Sequence, residues 1–149
     1  MSNRPLTDEE RRDITASVRR GYEHLKLSPR SSAGATQAAV RAAIDAVASG
    51  AKKPGTDAIV DLAVNLGCLW GQTVCDELGW QWCAVGLGDG RESVVVVTPN
   101  RSNVVSPVDF VHRQLRKRPP EENASMLLFA MLKGKSLGRA KAGSYVQVG

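Results

Sequence analysis

Residues 66 to 82 read LGCLWGQTVCDELGWQW. One feature of this stretch restricts the possible folds more than any other: an apolar helical run carries Gly67 and Gly71 and leads directly into Trp80 and Trp82. Glycine inside a helix costs about 1 kcal/mol against alanine, and two glycines four apart lie on one helix face. The spacing predicts a notch, widened by Ala63, where a second helix or a sheet can approach closely. Around it, Thr56 is the expected N-cap, and Asp57, Asp61, Asn65, Gln72 and Asp76 form one polar strip. Ile59, Leu62, Ala63, Leu66, Trp70 and Val74 occupy the rest, so this is the central helix. A ligand in the notch would need convergent polar groups. None is visible nearby, and packing is the expected purpose.

The flanking sequence supplies the other layers. Thr7 to Glu10 reads as a capping box opening a first helix, with Ile14, Val18, Tyr22 and Leu25 inward and Arg11, Arg12, Arg19 and Arg20 on a basic flank. That helix ends before Pro29. After a loop or cap over 31–35, an alanine-rich second helix continues to Ser49, with Val40, Ile44 and Val47 inward and Gly50 as its stop. Beyond Gly79 the period changes to two, with Trp80, Trp82 and Ala84 on one side and Gln81, Cys83 and Val85 on the other. Gly88-Asp89-Gly90 then turns the chain into Ser93–Thr98, an antiparallel hairpin over about 80–98. Val94 to Val97 is apolar on both faces and suits a central strand. Asn103 to Val105 can add a third strand. Ser106 and Pro107 open a helix with Phe110, Val111 and Leu115 inward, stopped by Pro119 and Pro120. A last helix is expected over about 120–133, with Leu127, Leu128, Met131 and Leu132 inward. The basic stretch 135–149 is expected to be mobile unless Tyr145 to Val148 docks as an edge strand.

The result is one α+β domain over 1–149: N-terminal helices over about 6–50, then a core over about 56–133. In it the glycine-notched helix packs on a small antiparallel sheet and two C-terminal helices follow. A chain of 149 residues can bury a core without staples. The start is charged and lacks an apolar signal region, and the uncharged apolar stretches fall short of the roughly 18 residues that span a bilayer. A cytoplasmic protein, monomeric or homodimeric, is expected. Three cysteines form an odd set, and Cys68 and Cys75 stand two helical turns apart, so reduced thiols are expected.

The net charge of +5 is unevenly placed: residues 1–100 hold 11 Lys/Arg and 12 Asp/Glu, whereas residues 101–149 hold 9 and 3. The most concentrated cations are Arg113, Arg116, Lys117 and Arg118. They suit a helix C-terminus, and they also suit docking to an acidic protein, because guanidinium forks bind carboxylates bidentately. Trp80 and Trp82 read first as core. Either one, left partly exposed beside those cations, would resemble an interface centre, so these six residues are the candidate partner-binding set. Basic residues interleaved with exposed aromatics, as nucleic-acid binding requires, are not evident, and neither nucleic acid nor membrane is the expected partner.

No set of residues announces a reaction. Gly86 to Gly90 lacks the third glycine and following helix of a dinucleotide loop. No C-x-x-C or H-x-x-x-H spacing is present, so neither metal nor cofactor is expected. Ser106, Asp109 and His112 are explained by capping and helical pairing, and His24 and His112 as helix-surface residues. Cys75 or Cys83 with His112 remains a thiol alternative without a local signature. The expected protein is non-enzymatic, with a small cysteine or carboxylate enzyme, or weak nucleic-acid association through the basic tail, as the alternatives.

Leu66-Gly67 with Gly71 on a helix, Leu78-Gly79-Trp80 with Trp82 opening a strand, and the later Ser106-Pro107 helix start together resemble a family of small bacterial domains of unknown function over about 56–132. Some members of such families are similar to immunity proteins that neutralise toxins delivered between bacteria. The resemblance implies a cytoplasmic immunity protein that occludes a cognate toxin by direct binding. Because immunity proteins against nucleases are usually acidic, the basic charge implies a target that is not a nuclease, or no toxin at all.

Overall fold

A computed structural model describes residues 3–50, 53–86, 88–116, 125–133 and 142–148. In chain order the elements are β1 (Asn3–Arg4), α1 (Asp8–Leu25), α2 (Ala33–Ala48), α3 (Thr56–Leu78), β2 (Gln81–Gly86), β3 (Glu92–Val97), β4 (Asn103–Val105), α4 (Pro107–Leu115), α5 (Ser125–Lys133) and β5 (Val146–Gln147). This is the expected α+β class.

Helix boundaries follow local chemistry. At the start of α1, the Glu10 amide donates to Thr7 Oγ1 at 3.1 Å and the Thr7 amide donates to Glu10 Oε1 at 2.9 Å, closing the predicted capping box. Ser32 caps α2, accepting from the Ala35 amide at 3.1 Å. Helix α3 departs from expectation: Gly55 is its N-cap and Thr56 is already helical, with the Ile59 amide donating to the Gly55 carbonyl at 2.9 Å. Glycine serves at this position at little cost. Ser106 holds the extended N-cap position of α4 and Pro107 the first turn, but the serine hydroxyl makes no capping bond.

The notch is a packing device. A Cβ at position 67 would lie 2.7 Å from Val108 Cα and 3.0 Å from the Pro107 carbonyl oxygen, and one at position 71 would lie 2.8 Å from both Pro107 Cγ and Trp82 Cη2. The first turn of α4 and the Trp82 indole therefore fill the groove in the central helix. A second close crossing, without a glycine pair to signal it, lies at Gly21. A Cβ at Gly21 of α1 would meet the Asn65 carbonyl at 2.9 Å and Leu69 Cβ at 3.1 Å, so α1 and α3 also approach through a glycine.

The sheet order is β1-β2-β3-β4-β5, with β1 to β4 antiparallel and β5 parallel to β4. It is mixed, which corrects the purely antiparallel expectation. Parallel neighbours need a long crossover, and the chain between β4 and β5, with α4 and α5, supplies one. The tail segment at 146–147 thus docks as an edge strand. The opposite edge, β1, carried no periodic signal. Helix α5 occupies Ser125–Lys133; Leu128, Phe129 and Leu132 are buried, whereas Met131 is 37% exposed, so Phe129 takes the inward place expected for Met131. The side chain of Leu127 and residues 117–124, where the earlier start and the Pro119-Pro120 stop were expected, lie outside the described residues.

Two apolar clusters flank the sheet. On one side Val40, Ile44, Leu66, Leu69, Trp70, Val96, Val105 and Val111 form the main core, with the Trp70 and Phe110 ring centroids 5.2 Å apart. On the other, Cys83, Val85, Val95, Val97 and Val104 gather with Tyr145. The alternation of Val95, Val96 and Val97 between the clusters is what a central strand covered on both faces requires. Among the helices of the described residues α3 alone is long and apolar enough, by length and composition, to cross a membrane, although its uncharged run is bounded by Asp61 and Asp76 and stays short of a span, as expected. Its Leu66, Leu69, Trp70 and Val74 side chains are fully buried against the rest of this chain.

Candidate cationic binding site

The predicted cationic run is only partly described. The Arg113 guanidinium carbon lies 6.0 Å from the Phe110 ring centroid, a cation–π distance. Arg116 is the exposed C-cap residue of α4. Lys117 and Arg118 lie outside the described residues. Trp80 is 8% exposed and belongs to the main core, so it is not an exposed aromatic beside those cations. Trp82 is the half-buried one. Its Nε1 donates to Gln72 Oε1 at 3.1 Å, and Gln72 Nε2 donates in turn to Asp76 Oδ1 at 2.8 Å. The polar strip of α3 thereby fixes the indole that closes the notch.

Trp82 shares a pocket with a different pair of cations. Pro5, Arg11, Gln81, Trp82, Cys83 and Arg101 line a pocket of about 400 Å³. Its position follows from the end of a strand ladder. Strand β1 pairs with β2 only as far as Arg4 opposite Ala84; Pro5 has no N–H to continue the ladder, and the chain turns into α1. Among the described residues no strand covers the outer edge of Gln81 to Cys83, and Arg11, on the second turn of α1, lies beside it.

Arg101 enters from the turn between β3 and β4. Its φ is +59°, a left-handed conformation that costs a non-glycine residue roughly 1–2 kcal/mol. The turn enforces it: the Arg101 amide donates to the Thr98 carbonyl at 2.9 Å, the Arg101 carbonyl accepts from the Tyr145 amide at 3.0 Å, and Thr98 Oγ1 accepts from the Ser102 and Asn103 amides at 3.0 and 3.1 Å. Among the described residues neither Arg11 nor Arg101 makes a side-chain hydrogen bond or ion pair. Arg4 is held by Glu10 and Glu92, Arg41 by Asp45 and Arg91 by Asp89. In the sequence Arg11 is one of four arginines on a basic flank, and the strained backbone of Arg101 has no local sequence signal.

A second cavity, of about 200 Å³, opens beside the notch between α1, α3 and the sheet. Ile14, Val64, Cys68, Trp82, Val94 and Val108 line it, with Glu10, Asp13 and Ser17 from α1. Its character is apolar. The Glu10 carboxylate is already engaged by Arg4 at 2.7 Å and by the Thr7 amide, and these bonds, the arginine first, hold its pKa down at about 2.

The thiols are poor nucleophiles. Burial pushes Cys68 up to about 11 and Cys75 up to about 12, with Asp76 adding to the latter, and burial also raises Cys83 against the opposing charge of Arg101. A thiol held protonated at neutral pH is weakly reactive. Among the described residues no group of three or more His, Cys, Asp and Glu side chains is arranged to hold a metal, and no hydrogen bond links Ser106, Asp109 and His112.

Comparison with family models, curated proteins and solved structures gives no match to this chain.

Proposed function

We propose that this chain is a non-enzymatic binding protein that holds an acidic protein partner against its cationic surface. The more specific form of the reading is an immunity protein that occludes a cognate bacterial toxin in the cytoplasm; it rests on the scaffold motifs of residues 66–82 and 106–107. One observation carries the proposal: arginines stand exposed at the surface, while burial raises the thiols. Arg11, Arg12, Arg19 and Arg116 are exposed, whereas the thiols are raised by burial and the notch is filled by Trp82 and Pro107. Arginine forks at a surface steer an acidic partner and pair with its carboxylates. Arg113 and Arg116 belong to that surface, and Lys117 and Arg118 follow them in the sequence.

The test is co-expression with the product of the neighbouring gene, read by cell survival and co-purification. Protection and co-purification that weaken in the Arg113→Glu/Arg116→Glu variant are expected. A chain that neither protects nor co-purifies removes the immunity reading, and association indifferent to these charge reversals removes the electrostatic one.

A further inference from the structure

We infer that the pocket between Arg11 and Arg101 binds a small oxyanion, a phosphate or carboxylate carried on a planar apolar group. The inference goes beyond the protein-partner reading and does not depend on it. Two arginines from elements distant in the chain, α1 and the β3–β4 turn, line one pocket together with Trp82. No carboxylate is among the lining residues. Two cations sharing a cleft repel, and an oxyanion between them removes that repulsion while giving both forks acceptors.

The backbone at Arg101 points the same way. The turn holds this residue in the left-handed region, where glycine or asparagine would sit with little strain. Arginine at such a position is not needed to build the turn, because the bonds that close it come from backbone groups and from Thr98 and Asn100. Its side chain is the part left without a structural duty.

The remainder of the lining sets the ligand's other half. Pro5, Trp82 and Cys83 are apolar, and Gln81 offers an exposed amide at the uncovered strand edge. The volume of about 400 Å³ lies within the usual range of small-molecule pockets. An isolated inorganic anion would leave the apolar part of this space unused, whereas an aromatic phosphate or aromatic acid matches both parts.

The experiment is calorimetric titration of the full chain with phenyl phosphate, benzoate and inorganic phosphate, repeated on Arg11→Gln and Arg101→Gly, with thermal melts of each variant. Binding of phenyl phosphate or benzoate, weakened about tenfold or more in each variant, is expected. Arg101→Gly is expected to melt no lower than the parent, since it removes strain, so its lost binding cannot be attributed to lost folding. Preference for phenyl phosphate assigns a phosphate ester and preference for benzoate a carboxylic acid; both support the site. No binding of either aromatic probe at millimolar concentration, or binding unchanged in both variants, overturns it. Inorganic phosphate binding as tightly as phenyl phosphate overturns the requirement for a planar group.

Discussion

The Val108 Cα lies 2.7 Å from the point where a Cβ at Gly67 would stand, closer than two such carbons can approach. Helix α4 is seated against the backbone of α3 itself. Gly67→Ala must therefore displace backbone, and its cost of roughly 1–3 kcal/mol from overpacking outweighs the gain of about 1 kcal/mol in helix propensity. A lowered melting temperature is expected. Gly34→Ala in α2 is the control: a Cβ there meets nothing within 4 Å, and the variant should match or exceed the parent.

Trp82 and Gln72 provide a second test. Gln72→Leu leaves the indole N–H without its acceptor in a part-buried position, a loss of about 1–2 kcal/mol. Chemical denaturation should show this decrease, with the slope against denaturant unchanged because the same surface is exposed on unfolding.

The thiols predict an alkaline limit to stability. Their ordinary value is 9.0, and in the fold Cys68 ionises at about 11 and Cys75 at about 12. Between these values the folded chain holds protons that the unfolded chain has released, so stability is full below pH 9 and falls as pH rises towards 11 to 12. Melting curves across that range should show the fall, with a shallower one in Cys68→Ser. Alkylation by iodoacetamide at pH 8 should be slow in the native chain and rapid in denaturant.

Glu10 predicts the acid limit. Its carboxylate is held at about 2, against an ordinary 4.5, by Arg4 and the Thr7 amide. Stability from this group is present above pH 4.5 and is lost as pH falls towards 2. Glu10→Gln keeps an acceptor for the cap but removes the charge. The variant should lose less stability than the parent between pH 5 and pH 2, and added salt should shrink the difference, because the pair lies at the surface.

Much of the scaffold was readable residue by residue. The Thr7 capping box, the helical spacing of Val40, Ile44 and Val47, the Asp89-Gly90 turn and Pro107 at the start of α4 all depend on neighbours within a few positions. The misreadings are equally physical. A threonine side chain can cap a helix and makes Thr56 the expected N-cap, yet the chain after Pro54 turns one residue earlier and Gly55 takes the place. Met131 and Phe129 are both apolar on a short helix, and only its contact with α2 and α3 decides which one faces in. The six-residue partner set depends on a strand tryptophan left exposed beside the cations of α4, whereas Trp80 belongs to the interior and Trp82 lines a pocket with Arg11 and Arg101.

By itself the sequence determined the caps, the helix and strand periods, the place of the hairpin and the existence of a close approach at Gly67 and Gly71, because each arises from interactions between residues near one another along the backbone. Only the tertiary structure decided what fills the notch, that β5 pairs in parallel with β4, and that an arginine from α1 and an arginine from a strained turn line one pocket with Trp82. Those outcomes depend on which distant surfaces bury one another and on where Pro5 ends a ladder, and no local pattern encodes the meeting of residues from opposite parts of the chain.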